Sequence, residues 1–242
     1  MIRLLLLISL LMIQFTTYSF AQTDTAKQLK EQVVPEVDDF YKRISFDDVE
    51  GVKQSLKIKG LTTNTMSKFG DAPLPYAVRE NAMNVFKYLL QVPDINVDKE
   101  NKSSENALMM LAFKGNLEMV RYLVEKFGAD IDKDGWNPIH YAVTNGHLDI
   151  VKYLVSKEAD IDSGTPNKTT ALMLASRSGF IEIVKYLLDH KADLALHNDQ
   201  NLTAIDFAQL GNQTEIVNGL KSRWKKMYGF DYVPKPRIQP SN

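Results

Sequence analysis

Four histidines and a regular series of aspartates are the side chains that could carry acid–base chemistry or bind a metal. His190 and His197 lie near Asp189 and Asp193, and two imidazoles with carboxylates could hold a zinc ion. A separation of seven residues across a turn is not a recognised ligand spacing, and no cysteine is present to supply a thiolate. We therefore expect no metal site and no cofactor.

The aspartates stand at positions that the sequence marks as turns. Paired carboxylates can act as an acid–base couple, but an aspartate also stabilises a turn by bonding its own backbone. Their recurrence in register with a repeating unit favours the turn role for Asp94, Asp130, Asp132, Asp160, Asp162 and Asp193. The sequence has no glycine-rich phosphate loop, nucleophile elbow, HExxH motif or EF-hand loop. These observations predict that the protein is not an enzyme.

Composition narrows the class of protein further. Of the 242 residues, 44% are hydrophobic and 24% are charged, with a formal net charge of −1, which is typical of a soluble folded protein. A nucleic-acid-binding protein needs a concentrated basic face, so the near-neutral charge argues against that class. The absence of cysteine excludes disulfides and lipoprotein anchoring, and it suits an oxidising compartment.

The repeating unit is clearest from Asn137 to Asp162, which reads NPIHYAVTNGHLDIVKYLVSKEADID. Asn137 and Pro138 are a side-chain cap and a ring with helical φ, which together begin a helix. Gly146 ends that helix, and a second helix follows with apolar residues on one face. The unit is a helical hairpin that cannot bury its apolar face alone.

The same unit recurs along the chain. The residue that ends the first helix of each copy is Asn81, Gly115, Gly146, Gly179 or Asn212, at intervals of 34, 31, 33 and 33 residues. Asparagine and glycine adopt the left-handed conformation most readily, so the backbone explains the choice. A degraded copy begins at Phe40, and the first and last of six repeats are expected to serve as caps.

These features resemble the ankyrin repeat in period, in the tetrad Asn137–His140, and in the pair Gly146-His147. The endings Ala129–Asp132 and Ala159–Asp162 resemble it too, and the similarity spans Val34 to Tyr228. The resemblance implies an all-α fold, an ankyrin-repeat solenoid of about six helix-turn-helix repeats with short hairpin fingers. It also implies that His140 and His147 bond neighbouring loops and helices. Function is left open, because such arrays bind partners through variable positions.

The ends of the chain differ from the array. Residues 1–21 combine Arg3, the apolar run Leu4–Phe15 and small residues before Gln22, which predicts a cleaved signal peptide; the alternative is an uncleaved membrane anchor. Residues 22–33 read as a linker and residues 34–228 as the array. Residues 229–242 form an extended, proline-containing tail, and no later segment is apolar enough to span a membrane. We expect a periplasmic or secreted protein.

Aromatic residues near the tail have two interpretations. Trp224, Tyr228, Phe230 and Tyr232 could fold back over the exposed end of the last repeat, or they could bind a partner. We prefer the capping role, because a terminal repeat exposes an apolar face.

In an ankyrin-like stack, the first helices and the fingers line a concave groove. Trp136 directly precedes the tetrad, where a small or polar residue is usual, and tryptophan is the residue most enriched at binding hot spots. The alternative is that Trp136 covers a gap in a finger that is three residues shorter than the next two. Phe113 is the second candidate. The predicted partner-binding residues are Arg79, Glu80, Phe113, Lys114, Lys133, Asp134, Trp136, Thr144, Asn145, Thr169, Arg177 and Ser178.

The sequence therefore predicts an exported, non-catalytic protein of bacterial type that binds another protein through this groove. An enzyme helper, a toxin neutraliser and a host-directed effector all fit that class, and an envelope spacer is a further interpretation. The alternative class is a small-molecule or metal-binding protein, or an enzyme that uses the array as a frame. That class needs convergent polar groups in a closed pocket.

Overall fold

The computed structural model describes residues 36–236 and residue 238. The predicted signal peptide and linker, residues 1–33, lie outside the described residues. The chain divides into two compact units, with the boundary between Asn96 and Val97. No helix in the part of the chain that the structure describes is long and apolar enough to cross a membrane.

The described part of the first unit, residues 36–96, contains four helices: α1 (36–45), α2 (Val49–Ser55), α3 (Pro73–Arg79) and α4 (Met83–Leu89). Proline at the first position of α3 suits a helix start, because its missing N–H would have no partner there. The core of this unit buries Phe40, Ile44, Val52, Leu74 and Phe86.

Among its described residues, the second unit contains eight helices: α5 (Ala107–Lys114), α6 (Leu117–Phe127), α7 (Pro138–Thr144), α8 (Leu148–Ser156), α9 (Ala171–Ser178), α10 (Ile181–Asp189), α11 (Ala204–Leu210) and α12 (Thr214–Tyr228). The first helices of successive repeats pack side by side, α5 on α7, α7 on α9 and α9 on α11. The second helices also contact one another in order, α6 on α8 and α8 on α10. Residues 36–236 contain no β-strand, and one isolated antiparallel bridge joins Gly164 and Thr170. The predicted all-α repeat solenoid is confirmed.

The ends of the first helices adopt the backbone conformation that the sequence predicts. Asn81, Gly115, Gly146, Gly179 and Asn212 have φ values of 59°, 76°, 78°, 83° and 56°, all in the left-handed region. A second constraint acts at the glycines. A Cβ at Gly146 would lie 2.9 Å from the Phe180 ring of the next repeat, so a side chain has no room there.

The aspartates of the second unit link each finger to the next. Asp98, Asp132 and Asp162 accept the backbone N–H of Asp130, Asp160 and Asp193 at 3.0, 2.9 and 2.9 Å. Asp130 and Asp160 also bond their own turns, at Asp132 N and Asp162 N, as the turn role requires. Partial burial raises the pKa of Asp98, Asp132 and Asp162. In the first unit Asp94 has a φ of 63° and accepts a bond from Asn64 through its carbonyl oxygen.

The C-terminal segment packs on the last repeat. Gly229 ends α12 in the left-handed conformation, and the chain returns so that Tyr232 contacts Trp224, with ring centroids 5.0 Å apart. The Tyr232 hydroxyl lies 2.8 Å from Thr203 Oγ1 and also donates to the buried carboxylate of Asp206. The amide of Asn201 donates to the carbonyl of Pro236. These contacts cover the start of α11.

Candidate protein-binding surface

Three aromatic side chains of the second unit form one exposed cluster, the aromatic surface, made of Phe113, Trp136 and Tyr141. Phe113 belongs to the last turn of α5, Tyr141 lies in α7, and Trp136 directly precedes the cap of α7. Tyr141 lies between the other two: its ring centroid is 6.4 Å from that of Phe113 and 5.8 Å from that of Trp136, at interplanar angles of 77° and 78°. Phe113 and Trp136 remain 43% and 40% exposed.

Tyr141 is held in place by a polar network. Its hydroxyl donates to Glu105 Oε1 at 2.9 Å, and Asn101 Nδ2 donates to Glu105 Oε2 at 2.9 Å. Burial, together with the neighbouring Glu105 carboxylate, raises the pKa of Tyr141 well above its usual value, so the phenol keeps its proton. The sequence prediction did not include Tyr141. The sequence does distinguish Tyr141, because the neighbouring repeats carry Met110 and Leu174 at the equivalent position.

Trp136 both packs and remains accessible. One side of its ring approaches His140, with centroids 5.7 Å apart, and the nearby Gly135 faces Pro166 in the next finger. The two sequence interpretations, a binding residue and a residue that covers a gap, are therefore compatible in the structure. A side chain that is partly immobilised before binding loses less entropy when a partner arrives.

His140 is a structural residue. It is fully buried, its Nδ1 accepts the N–H of Asn137 at 3.3 Å, and its Nε2 donates to the carbonyl of Ser163 at 3.0 Å. Burial lowers the pKa of His140 to about 4, so the ring is neutral at pH 7. The structural role that the resemblance implies is confirmed.

His147 connects two repeats in a similar way. Its Nε2 lies 2.8 Å from the carbonyl oxygen of Phe113, and the Asn145 amide donates to the same oxygen at 2.9 Å. Two donors from the turn between α7 and α8 therefore satisfy the C-terminal end of α5, where helix carbonyls lack partners. They also hold the backbone of Phe113, and so fix the start of its exposed side chain.

Most of the other predicted residues of this unit are exposed polar groups. Lys114, Asp134, Thr144, Asn145, Arg177 and Ser178 are exposed. Lys133 is half-buried, because its Nζ pairs with Glu100 at 2.6 Å and donates to the Ser104 carbonyl. Thr169 is the exception. It is only 5% exposed and its N–H donates to Thr165 Oγ1, so it lies beneath the finger instead of at its tip.

Arg79 and Glu80 belong to the first unit and take part in a separate cluster. Arg79 Nη1 is 2.6 Å from Asp71 Oδ1, its Nε is 3.2 Å from Glu80 Oε1, and its guanidinium lies 4.6 Å from the centre of the Tyr76 ring. The predicted partner-binding residues therefore fall into two groups, one in each unit.

The possible zinc ligands named from the sequence do not converge. His190 donates from Nδ1 to the Tyr186 carbonyl at 2.8 Å and stacks on the Tyr186 ring, whereas His197 lies in the finger before α11. Within residues 36–236 no three or more histidine, aspartate or glutamate side chains are grouped so as to hold a metal ion.

The described residues form a helical repeat array that carries this exposed aromatic surface. Comparison with known families agrees: the family model for ankyrin repeats matches three times, over residues 44–132, 74–165 and 158–229. Because these matches cover more than half of the chain, the chain belongs to the ankyrin-repeat family.

Individual relatives are similar to part of this chain. The human Notch-regulated ankyrin repeat-containing protein is 40% identical over 94 residues, which are 36% of this chain and 82% of that protein. Mouse protein phosphatase 1 regulatory subunit 27 is 36% identical over 89 residues, 36% of this chain and 57% of that protein. Membership of the ankyrin-repeat family points to a protein-interaction module. Both relatives are animal proteins, so they do not support the predicted bacterial type or export.

Proposed function

We propose that this protein is a non-catalytic module that binds a protein partner through the aromatic surface of its second unit. The exposed rings of Phe113 and Trp136 on either side of Tyr141 are the observation that supports this most strongly. Aromatic side chains dominate protein–protein hot spots, because they bury a large area at a low cost in side-chain entropy.

The rigidity of the frame adds to the argument. Glu105 holds the hydroxyl of Tyr141, His147 and Asn145 hold the carbonyl of Phe113, and His140 supports Trp136. A partner would therefore meet a surface that is already ordered, which lowers the entropic cost of binding. The exposed polar residues around the rings, among them Lys114, Asp134 and Asn145, would form the rim of the interface.

A capture experiment with a double variant tests this surface. Phe113→Ala with Trp136→Ala removes both exposed rings, and loss of one hot-spot residue typically costs about 2 kcal/mol or more, roughly a thirty-fold weaker complex. Phe46→Ala with Phe69→Ala is a matched control, because it removes two exposed phenylalanines of the first unit, which are 73% and 63% exposed. We expect the control to recover the partner and the site variant to lose it. Equal recovery of the partner by both variants would contradict binding through the aromatic surface.

Export is the second part of the proposal. The charged start, the apolar run Leu4–Phe15 and the small residues before Gln22 support a signal peptide and a periplasmic or secreted location. N-terminal sequencing of the protein purified from its native cells tests this directly. A mature chain that begins at Gln22 is expected, and a chain that retains Met1 in the cytoplasmic fraction would contradict export.

A further inference from the structure

The second helices of the four middle repeats share a tyrosine that the last repeat lacks, and the first repeat has Gln54 at this position. The helices α4, α6, α8 and α10 read MNVFKYL, LEMVRYL, LDIVKYL and IEIVKYL, and the same stretch of α12 reads TEIVNGL. The tyrosines are Tyr88, Tyr122, Tyr153 and Tyr186, and the corresponding residue is Gly219.

Three of these tyrosines, Tyr88, Tyr153 and Tyr186, face a cation on the second helix of the preceding repeat. Lys53 lies over the Tyr88 ring at 5.4 Å within the first unit. In the second unit Arg121 lies over Tyr153 at 4.6 Å and Lys152 over Tyr186 at 5.8 Å. A cation at this distance from a ring centre is attracted by the negative face of the ring.

Tyr153 shows the complete arrangement. The residue is only 3% exposed, with its ring against α6. Its hydroxyl donates to Glu125 Oε1 at 3.2 Å, one turn beyond Arg121 on the same helix. The preceding helix thus supplies a cation for the ring face and a carboxylate for the hydroxyl.

At Gly219 the supporting residues are present without the ring. Lys185 stands at the position of Arg121 and Asp189 at that of Glu125, and both line a cleft of about 430 Å³ between α10 and α12. A Cβ added at Gly219 would have no atom within 4 Å, so the helix leaves open space there. The apolar part of the cleft is lined by Ile181, Val184, Leu188, Ile216 and Leu220.

We propose that this cleft binds a tyrosine side chain presented by a partner protein. The ring would lie in the apolar cleft beside Gly219, with the Lys185 ammonium over its face and its hydroxyl donating to the Asp189 carboxylate. The repeat itself gives the chemistry of the occupant, because a cation and a carboxylate at the same two helix positions, Arg121 and Glu125, hold Tyr153. The cleft lies between second helices, so this site is additional to the aromatic surface.

The existing contacts of these charged groups are compatible with an incoming ring. Lys185 pairs with Glu182 at 2.9 Å on its own helix, but Lys53 makes the same kind of pair with Glu50 and still covers Tyr88. Arg223 lies 3.7 Å from Asp189, donates to the Leu188 carbonyl and lines the cleft, and a Cβ at Gly219 would still have no atom within 4 Å.

Nuclear magnetic resonance titration of the full chain tests the proposal. The probe is the capped peptide acetyl-Ala-Tyr-Ala-amide, and the matched peptides carry phenylalanine or leucine at the centre. We expect shifts of the backbone amides of Lys185, Asp189 and Gly219, largest with the tyrosine peptide. Lys185→Ala should weaken binding about two- to five-fold, the usual effect of an exposed cation on a ring.

Two substitutions at Gly219 distinguish occupancy of the cleft from a general effect on α12. Gly219→Tyr would place a ring of this chain in the cleft and should abolish the peptide-induced shifts. Gly219→Ala improves helix propensity without filling the cleft, and should retain the shifts. Absence of shifts in the unmodified protein, equal shifts with the leucine peptide, or retained shifts in Gly219→Tyr would each overturn the proposal. Shifts of the same amides on raising protein concentration alone would assign the cleft to a second copy and overturn it as well.

Discussion

Asp132 accepts the backbone N–H of Asp160 through Oδ1 at 2.9 Å, and this bond joins one finger to the next. Asp98 and Asp162 make the same contact to Asp130 and Asp193. In the first unit the acceptor is an amide, because Asn64 Oδ1 bonds Asn96 N at 2.9 Å. The contact therefore requires a side-chain oxygen and does not require a negative charge.

Asp132→Asn should preserve the contact and change its pH dependence. The folded-state pKa of Asp132 is raised by burial, so the folded protein binds a proton more readily than the unfolded chain. Stability contributed by this group is therefore lost as pH rises from about 3.9, its unfolded pKa, through the folded pKa. The asparagine variant should lose less stability over that pH range, measured as the free energy of urea unfolding.

Asp132→Ala is the companion variant, because it removes the acceptor. The N–H of Asp160 then loses its partner in the protein, and we expect a cost of about 1 kcal/mol at pH 7. Equal stability of the alanine and asparagine variants would contradict a role for this hydrogen bond.

The regular parts of the fold could be predicted from the sequence because they depend on neighbouring residues. Asn137-Pro138 begins α7, and the left-handed residues from Asn81 to Asn212 end the first helices, as local backbone preferences require. Contacts between repeats could not be predicted in this way. Nothing near Tyr141 in sequence indicates that its hydroxyl reaches Glu105, 36 residues earlier. The burial of Thr169 likewise depends on how the finger closes on Thr165, which the spacing of turn residues does not show.

His140→Met should reduce the loss of stability in mild acid. The His140 pKa is lowered to about 4 by burial, below an unfolded value of about 6.5, so its contribution is present above pH 6.5 and is lost as pH falls toward 4. The full loss is about 3 kcal/mol. Methionine occupies this position in the next repeat, where Met173 accepts the Thr170 N–H through sulfur at 3.5 Å.

The pH series of urea unfolding curves should therefore be flatter for His140→Met between pH 4 and 6.5. At pH 7.5 the variant should be less stable by about 1 kcal/mol, because the bond to the Ser163 carbonyl is lost. Parallel pH profiles for the two proteins would show that His140 is not the group that titrates.

Tyr232→Phe should weaken the attachment of the C-terminal segment to the last repeat. The hydroxyl bonds Thr203 Oγ1 and the Asp206 carboxylate, and a hydrogen bond to a charged group contributes about 1.5–3 kcal/mol. Hydrogen exchange of the α11 amides should accelerate, since the segment covers the start of that helix. Tyr228→Phe removes a hydroxyl from a residue that is 38% exposed and should leave exchange unchanged. Equal exchange rates in Tyr232→Phe and the unmodified protein would show that the segment does not protect α11.

Gly115→Ala should destabilise the second unit more than Gly128→Ala, and the difference isolates the contact between repeats. Both glycines have positive φ, 76° and 64°, so each alanine variant should lose about 1–2 kcal/mol from backbone strain. A Cβ at Gly115 would also overlap the His147 ring, whereas a Cβ at Gly128 would have no atom within 4 Å. Displacing that ring would also break its bond to the Phe113 carbonyl, at a further cost of about 1 kcal/mol.

A double variant, His147→Ala with Gly115→Ala, should remove the steric part of the loss and leave the part due to backbone strain. Urea unfolding of the unmodified protein, the two single variants and the double variant then gives the coupling energy between the two residues. A coupling energy of zero would mean that the glycine is required for its φ alone, and that the close approach of His147 to Gly115 has no energetic consequence.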